Sequence, residues 1–241
     1  MPWLPEFDSL IARTPGRADD PIWGRVDGEA GFAGYRKASA AFLAERRARV
    51  KTVATTVDRA RAVGEYDVEL TVDGRTFVLP VAAVAEPRPD ETPWVRVYHS
   101  QWPLLGRHVV RPPLMLRDPE ARESDVVGEY QAALAAGDAG RITATFEPDG
   151  CFREPAGPQF RRCGVDVLGP FFELFFSAGG GIILEHCTVT EDGVRTALEF
   201  NAVRWGGADL PPQAGIAVYE RGPSGRLANA RIYDDVEGPV E

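Results

Sequence analysis

The chain has 241 residues, of which 44% are hydrophobic and 10% aromatic, and its 27 basic and 36 acidic side chains give a net charge of −9. This composition is typical of one large or two compact globular domains, and it excludes collagen-like, coiled-coil and intrinsically disordered chains. The negative charge does not favour binding to nucleic acid or to an anionic membrane surface.

Targeting signals are not recognisable in the sequence. The first residues, MPWLPEFDSLIARTPGR, lack a basic region followed by a continuous apolar stretch, so no secretory signal is predicted. The most apolar window, Val167 to Leu184, is interrupted by Pro170, Glu173 and three consecutive glycines, and it does not predict a membrane span. Three cysteines without CxxC spacing are typical of free buried thiols. We therefore expect a cytoplasmic protein with no membrane partner.

Motifs for metals and common cofactors are also missing from the sequence. His99, His108 and His186 do not have the i, i+4 spacing that places two ligands on one helix face. The dinucleotide-binding GxGxxG pattern, the P-loop and the GxSxG nucleophile elbow do not occur. We expect neither a metal site nor a cofactor.

In chain order, the first predicted helix follows Gly28 and carries Phe32 and Tyr35 at helical spacing. Strand-like stretches come next, among them YDVELTV and VRVYHS, and a proline-rich segment of poor regularity follows them. We predict an amino-terminal domain over residues 1–110 and a linker over residues 111–123.

The second predicted domain, residues 124–241, begins with a helix that Ser124 caps and that ends at Gly137. Asp138 caps a second short helix, and turns surround a short strand in EPDGCFREPAGPQFRRCG. A third helix, GVDVLGPFFELFF, carries a broad apolar stripe that suits burial against a sheet. Four strand-like stretches with tight turns then end the chain, which predicts an antiparallel meander.

Short stretches of the two halves recur at a spacing of 134 to 136 residues. The matches are Gly28, Phe32 and Tyr35 with Gly164, Leu168 and Phe171; Val84, Glu86 and Pro89 with Val218, Glu220 and Pro223; and Arg96-Val97-Tyr98 with Arg231-Ile232-Tyr233. A spacing that drifts so little over three elements predicts a tandem duplication. The first copy is abridged at its amino-terminal end.

The element order of residues 124–241 resembles the NTF2-like superfamily, and in particular its SnoaL-like branch of polyketide cyclases and ketosteroid isomerase-like proteins. The stretches that carry the resemblance are VVGEYQAALAAGDAGRITATFEPDGCFREPAG, GVDVLGPFFELFF and ARIYDDVEG. The resemblance implies an α+β fold in which each unit is a cystatin-like cone, a curved antiparallel sheet wrapped on helices around an apolar cavity. Because family members pair through their sheets, two tandem units imply an internal pseudo-dimer that can exist as a monomer.

The last predicted strand carries the strongest candidate for catalysis. In an extended strand Ala230, Ile232, Asp234 and Val236 lie on one face, so Asp234 has apolar neighbours. Such surroundings raise the pKa of a carboxyl group and make it a general acid or base near neutral pH. An aspartate near the end of the final strand acts in this way in the cyclases that the chain resembles. A solvated turn before Gly238 is the alternative.

Three further side chains on the predicted strands could act with Asp234. Glu199 and Asn201 share one face of TALEFNAVRW, where they could line the cavity as a second carboxylate and a neutral hydrogen-bond donor. Pairing of Glu199 with Arg204 or Arg231 explains that position equally well. His186 shares a face with apolar residues of IILEHCTV, either as a catalytic group or as a structural one.

Other residues are candidates for the wall of the cavity and its rim. Glu154 lies in the turn after the short strand, and the remaining candidates are aromatic residues that also suit a filled core. These aromatic residues are Tyr130, Phe146, Phe152, Phe172, Phe176 and Trp205.

The first copy has fewer candidate catalytic groups, because in the repeat alignment His99 stands at the position of Asp234. Glu69 is the candidate match of Glu199 in this copy. We expect the first copy to be a structural partner for the second.

Three functions are compatible with these residues. The leading hypothesis is a cofactor-independent isomerase, cyclase or dehydratase that acts on a small hydrophobic molecule with a carbonyl group. In it Asp234 moves a proton, and His186 or Asn201 steadies the oxygen. An epoxide-opening enzyme would use Asp234 with Glu199. A non-catalytic pseudo-dimer that binds a small ligand or a protein is the alternative from another class.

Overall fold

The computed structural model describes residues 16–87, 93–123 and 125–238. The predicted helix cap Ser124, the repeat position Pro89 and residues 1–15 of the amino-terminal segment lie outside these residues. The first half contains, in chain order, β1 (Arg17–Asp20), β2 (Gly24–Val26), α1 (Gly28–Glu45), β3 (Arg49–Val57), β4 (Ala62–Val72), β5 (Arg75–Glu86), β6 (Trp94–Tyr98) and α2 (Trp102–Leu105).

The second half has a similar element order after two added helices. It contains α3 (Asp125–Ala136), α4 (Ala139–Ala144), β7 (Phe146–Arg153), a 3₁₀ turn (Pro158–Phe160), β8 (Arg161–Cys163), α5 (Val165–Phe175), β9 (Ile182–Glu191), β10 (Arg195–Trp205), β11 (Ala208–Arg221) and β12 (Leu227–Asp234). The prediction of an α+β chain with two successive units is confirmed.

Each half forms one six-stranded sheet, and the two sheets have equivalent strand orders: β2-β1-β6-β5-β4-β3 and β8-β7-β12-β11-β10-β9. The predicted antiparallel meander is confirmed for β9 to β12. Each whole sheet is mixed, because β1 is parallel to β6 and β7 is parallel to β12. Tight turns determine only the pairing of neighbouring strands, whereas these two pairs join strands that are far apart in the chain.

Helices cover one face of each sheet, and the opposite faces pack against each other. In the second unit the helix-side core includes Val127 and Tyr130 of α3 and Leu168 and Phe172 of α5. A separate core lies between the sheets and joins Val84 and Tyr98 to Ile216, Val218 and Tyr233, among others. The chain therefore forms the predicted internal pseudo-dimer, with its two sheets back to back.

Two buried ion pairs cross the sheet–sheet interface in a reciprocal pattern. Arg96 donates through Nε and Nη2 to the carboxylate of Glu199 at 2.6 and 2.8 Å. Arg231 donates through the same two nitrogens to Glu65 at 2.6 and 2.9 Å.

The tyrosine two positions after each arginine joins the same carboxylate, Tyr98 that of Glu199 and Tyr233 that of Glu65. Each unit thus holds a glutamate of the other, as in an isologous dimer interface. The counterpart of Glu199 is therefore Glu65, at the repeat spacing of 134 residues, and the candidate match Glu69 is wrong.

The cysteines differ from the prediction of three free thiols. Cys151 and Cys163 lie directly opposite each other on β7 and β8 and form a disulfide bond. Cys187 is free and buried. The sequence separation of the pair did not reveal that these two strands are neighbours, so the inference of a reducing compartment from the cysteines does not hold.

Candidate functional site

The cone of the second unit encloses a cavity of about 570 Å³. Its walls come from the helices and from the concave face of the sheet, and they are mostly aromatic and aliphatic. They include Tyr130, Phe152, Phe172, Phe200 and Trp205. A cavity of this size and polarity is typical of sites for small organic molecules. The corresponding cavity of the first unit, beside Trp23 and Phe42, has only about 60 Å³.

Asp234 lines the larger cavity at the end of β12. The pleat of the strand places it on the same face as Ala230, Ile232 and Val236, which belong to the apolar core or pack against it. Removal of the carboxylate from water raises the pKa of Asp234 to about 7, and the negative charge of Asp235 acts in the same direction. The group is therefore able to take up and release a proton at neutral pH.

Next to Asp234 lies a histidine that the sequence analysis considered only as a metal ligand. His108 lines the cavity, and its Nδ1 lies 2.9 Å from Oδ1 of Asp235. The hydrogen bond to Asp235 raises the pKa of His108 above its ordinary value. Asp235 also accepts hydrogen bonds from the Ser100 hydroxyl at 2.7 Å and the Val109 amide at 2.7 Å. Asp235 thus fixes the orientation of the histidine ring.

The mouth of the cavity contains residues from outside the second unit. Trp102 of α2 is 44% exposed, and its ring centroid lies 4.9 Å from that of His108. Both residues line the cavity. The prediction of a pocket entirely within residues 124–241 is therefore wrong, because Trp102 and His108 also line it. No pattern in the sequence predicts that α2 and the following segment pass the end of β12.

Some of the residues predicted for the cavity wall line the cavity, and others lie in the core around it. Glu154 lines the cavity and forms an ion pair with Arg162. Four of the predicted aromatic residues, Tyr130, Phe152, Phe172 and Trp205, line it as well. Phe146 and Phe176 belong to the surrounding apolar core and are not among the lining residues.

Glu199 and Asn201 do not face the cavity. Both lie on the opposite face of β10, where Glu199 binds Arg96 and accepts a hydrogen bond from Thr188 at 2.6 Å. Burial by itself would raise the pKa of Glu199, but the charge of Arg96 and these hydrogen bonds lower it overall. Asn201 donates to the carbonyl oxygen of Met115 in the linker. Neither residue is available to a molecule in the cavity.

His186 is also not among the residues that line the cavity. A β-bulge opposite Glu199 and Phe200 shifts the register of β9, so that Thr188 pairs with Glu199 and His186 pairs with Phe200. The ring Nδ1 of His186 lies 3.0 Å from Oε2 of Glu123. Strict alternation along the strand does not hold across such a bulge, so Thr188 lies on the face of Glu199, whereas His186 remains on the face of Leu184 and Phe200.

The equivalent position of the first unit is occupied by His99, which is buried and lines the small cavity together with Asp20. Burial lowers the pKa of His99. The Asp20 carboxylate accepts a hydrogen bond from the hydroxyl of Tyr35 at 3.1 Å. The polar groups of the first cone are thus retained within a space too small for an organic substrate.

Within the described ranges, no group of three or more histidine, cysteine, aspartate or glutamate side chains could hold a metal ion. None of the helices in the same ranges is long and apolar enough to cross a membrane.

Comparison with known proteins gives matches in structure only. No protein-family model matches the chain, and no curated protein matches it in sequence. An NTF2-like protein of unknown function from Cytophaga hutchinsonii is 17% identical, with a TM-score of 0.36, over 46% of this chain and 87% of its own. A SnoaL-like protein of unknown function from Burkholderia thailandensis is 17% identical, with a TM-score of 0.37, over 44% of this chain and 88% of its own.

A third solved structure is SalBIII, described as an epoxide hydrolase/cyclase-like enzyme in pyran ring formation in the polyether salinomycin. It is 20% identical, with a TM-score of 0.38, over 45% of this chain and 87% of its own. Each of these three proteins is therefore similar to about half of the chain. Likeness at this level of identity concerns the fold alone, so any function has to be argued from the site.

Proposed function

We propose that the protein is a cofactor-independent acid/base enzyme that acts on a small hydrophobic molecule with a carbonyl group. The observation that carries this proposal is the Asp234 carboxyl group, whose pKa is raised to about 7 in an apolar cavity of about 570 Å³. A base with a pKa near the working pH is the most effective one for removing a proton from carbon next to a carbonyl group. Isomerisation, dehydration and aldol-type cyclisation all begin with this step.

Two other groups at the cavity complete the proposed chemistry. Burial raises the pKa of Tyr219, so its hydroxyl stays neutral. This hydroxyl accepts a hydrogen bond from Gln131 at 2.6 Å, and its own proton is the donor that we assign to the substrate oxygen as negative charge develops there. His108, oriented by Asp235, returns a proton to the product through Nε2. These roles replace those predicted for His186 and Asn201.

The pH dependence of kcat/KM should report Asp234 and His108 separately. Asp234 has to be ionised to act as a base, so the rate should rise about tenfold per pH unit at low pH and level off near pH 7. His108 has to be protonated, so the rate should fall again on the alkaline side, above the ordinary histidine pKa of 6.5. A bell-shaped profile measured from pH 5 to 9 is the expected result.

His108→Gln should keep the low-pH limb and remove the alkaline limb, because glutamine does not titrate. A profile of unchanged shape in this variant would show that His108 takes no part in proton transfer.

The reaction can be tested before the substrate is known. Hydrophobic cyclic and aryl ketones are incubated with the protein in D₂O, and deuterium incorporation next to the carbonyl group is followed by NMR. Exchange above the buffer rate with at least one ketone is expected, together with its loss in Asp234→Asn. No exchange with any ketone of the panel, or full exchange in the variant, would contradict the proposal.

A non-catalytic binding protein is the second candidate, because the cavity walls are mainly aromatic and Glu154 is already paired with Arg162. In that case apolar ligands should raise the melting temperature of the wild type and of Asp234→Asn equally, with no exchange in either. Ligand binding together with deuterium exchange that is lost in Asp234→Asn indicates the enzyme, and ligand binding without exchange indicates the binding protein.

A further inference from the structure

A second cleft, outside the cone, lies where β3 and β4 of the first unit meet β7, β8 and β12 of the second. It has a volume of about 360 Å³. Its lining includes Lys51 and Asp67 from the first unit and Arg153, Arg161 and Arg231 from the second. Neither Asp234 nor His108 belongs to this lining, so the cleft is separate from the proposed catalytic cavity.

The cleft is positively charged, although the whole chain carries a net charge of −9. Four cationic side chains line it, against the carboxylates of Asp67 and Glu220. Arg231 is already neutralised, because it binds Glu65 through two nitrogens and Glu220 through the third. Arg153 forms a salt bridge with Asp67, so the positive charge without a matching carboxylate belongs to Lys51 and Arg161.

Arg153 is only 5% exposed, yet among the described residues only one of its three guanidinium nitrogens forms a hydrogen bond. Its Nη1 donates to Asp67 at 3.2 Å, and its Cζ lies 4.6 Å from the centroid of the Tyr233 ring. Its Nε and Nη2 are buried and find no acceptor among the described residues. In Arg96 and Arg231 the same two nitrogens donate two parallel hydrogen bonds to a carboxylate. In Arg153 the described residues supply no carboxylate to these two nitrogens.

We propose that the cleft binds the oxyanion group, carboxylate or phosphate, of a small molecule. The Nε and Nη2 fork of Arg153 receives two oxygens of the anion, since this planar edge matches both groups in geometry. Lys51 of the first unit and Arg161 of the second are exposed lining residues and add electrostatic attraction for the anion. The ligand lies between the two units and contacts both of them.

The test is isothermal titration calorimetry of the full chain with inorganic phosphate and, separately, with succinate, at constant ionic strength set with chloride. Saturable binding of at least one anion is expected. Binding of phosphate alone assigns the site to phosphate groups, and binding of succinate alone assigns it to carboxylates. If neither anion binds, the proposal is wrong.

Variants locate the bound anion. Arg153→Met should lower the affinity at least about tenfold, and the double variant of Lys51→Met and Arg161→Met should lower it by several fold. Asp67→Asn should raise the affinity, because it removes a carboxylate that competes for Arg153. Arg141→Met changes an exposed cation outside the cleft and should have no effect.

Circular dichroism checks that each variant is folded. If Arg153→Met does not fold, the double variant and Asp67→Asn decide the question, because Lys51 and Arg161 are exposed. Unchanged affinity in all folded cleft variants would overturn the assignment. The proposed catalysis at Asp234 does not depend on this result, since its assay is independent of anion binding.

Discussion

Asp234→Asn should abolish turnover and at the same time stabilise the fold above pH 7. The amide has nearly the shape of the carboxylic acid but cannot accept the substrate proton, so kcat should fall by about 10²- to 10⁴-fold. The gain in stability has a separate cause. Burial raises the pKa of Asp234 to about 7 in the folded chain, from an ordinary value of 3.8. Ionisation of this group therefore opposes folding.

The size of this effect depends on pH. Below about pH 4 the carboxyl group is protonated in both states, and wild type and variant should be equally stable. Between pH 4 and 7 the unfolded chain releases the proton and the folded chain retains it, so the wild type loses stability. With a shift of about three pKa units, the difference from the variant reaches at most about 4 kcal/mol at pH 7 and then stays constant.

Urea denaturation of both proteins from pH 4 to 9 measures this difference. Asp149→Asn is the control, because Asp149 is exposed and its replacement should give no comparable pH-dependent gain. A constant difference between wild type and Asp234→Asn over this range would show that the carboxylate is solvated. The proposed base would then lose its physical basis.

Glu199→Ala should cause the largest loss of stability among single changes at the sheet–sheet interface. It removes the carboxylate that pairs with Arg96, whose side chain is 0% exposed, and it leaves Tyr98 and Thr188 without their acceptor. The salt bridge that remains for Arg96 is with Glu86, on the neighbouring strand of its own sheet. Removal of one partner of a buried ion pair typically costs about 3–5 kcal/mol. Urea denaturation at pH 7 measures the loss.

A double variant tests whether the loss comes from the uncompensated charge. Arg96→Met together with Glu199→Leu should recover much of the stability, because no buried charge then remains without a partner. Asp209→Ala is the matched control, since it breaks an exposed pair with Arg204, which lies on the same strand as Glu199, and should cost less than about 1 kcal/mol. A loss of that small size in Glu199→Ala would contradict the assigned role.

Catalysis provides a second comparison at Glu199. Folded Glu199→Ala protein should retain its activity per molecule, because the side chain lies on the opposite side of the sheet from the cavity. The epoxide-opening mechanism that pairs Glu199 with Asp234 has no geometric basis in this structure.

Local patterns of the sequence determined the parts of the fold that depend on near neighbours. The pleat of an extended strand alternates side chains strictly, so the sequence of β12 was enough to place Asp234 with Ala230, Ile232 and Val236. The broad apolar stripe of α5 indicated a helix that packs on a sheet, and Leu168 and Phe172 are buried there. The spacing between Arg96 and Arg231, which recurs at other matched positions of the two halves, also indicated two equivalent units. Such a repeat can be read from the sequence without any knowledge of contacts.

Only the tertiary structure decided which residues meet at the site. Glu199 faces Arg96 because two sheets pack back to back, and His108 reaches the cavity because the chain between the units passes the end of β12. A single bulge in β9 placed Thr188 opposite Glu199 at the sheet–sheet interface, and the pairing of β7 with β8 brought Cys151 to Cys163. These contacts join residues that periodicity does not relate. They follow from the packing of whole units, whereas hydrophobic spacing reports only which face of one element is buried.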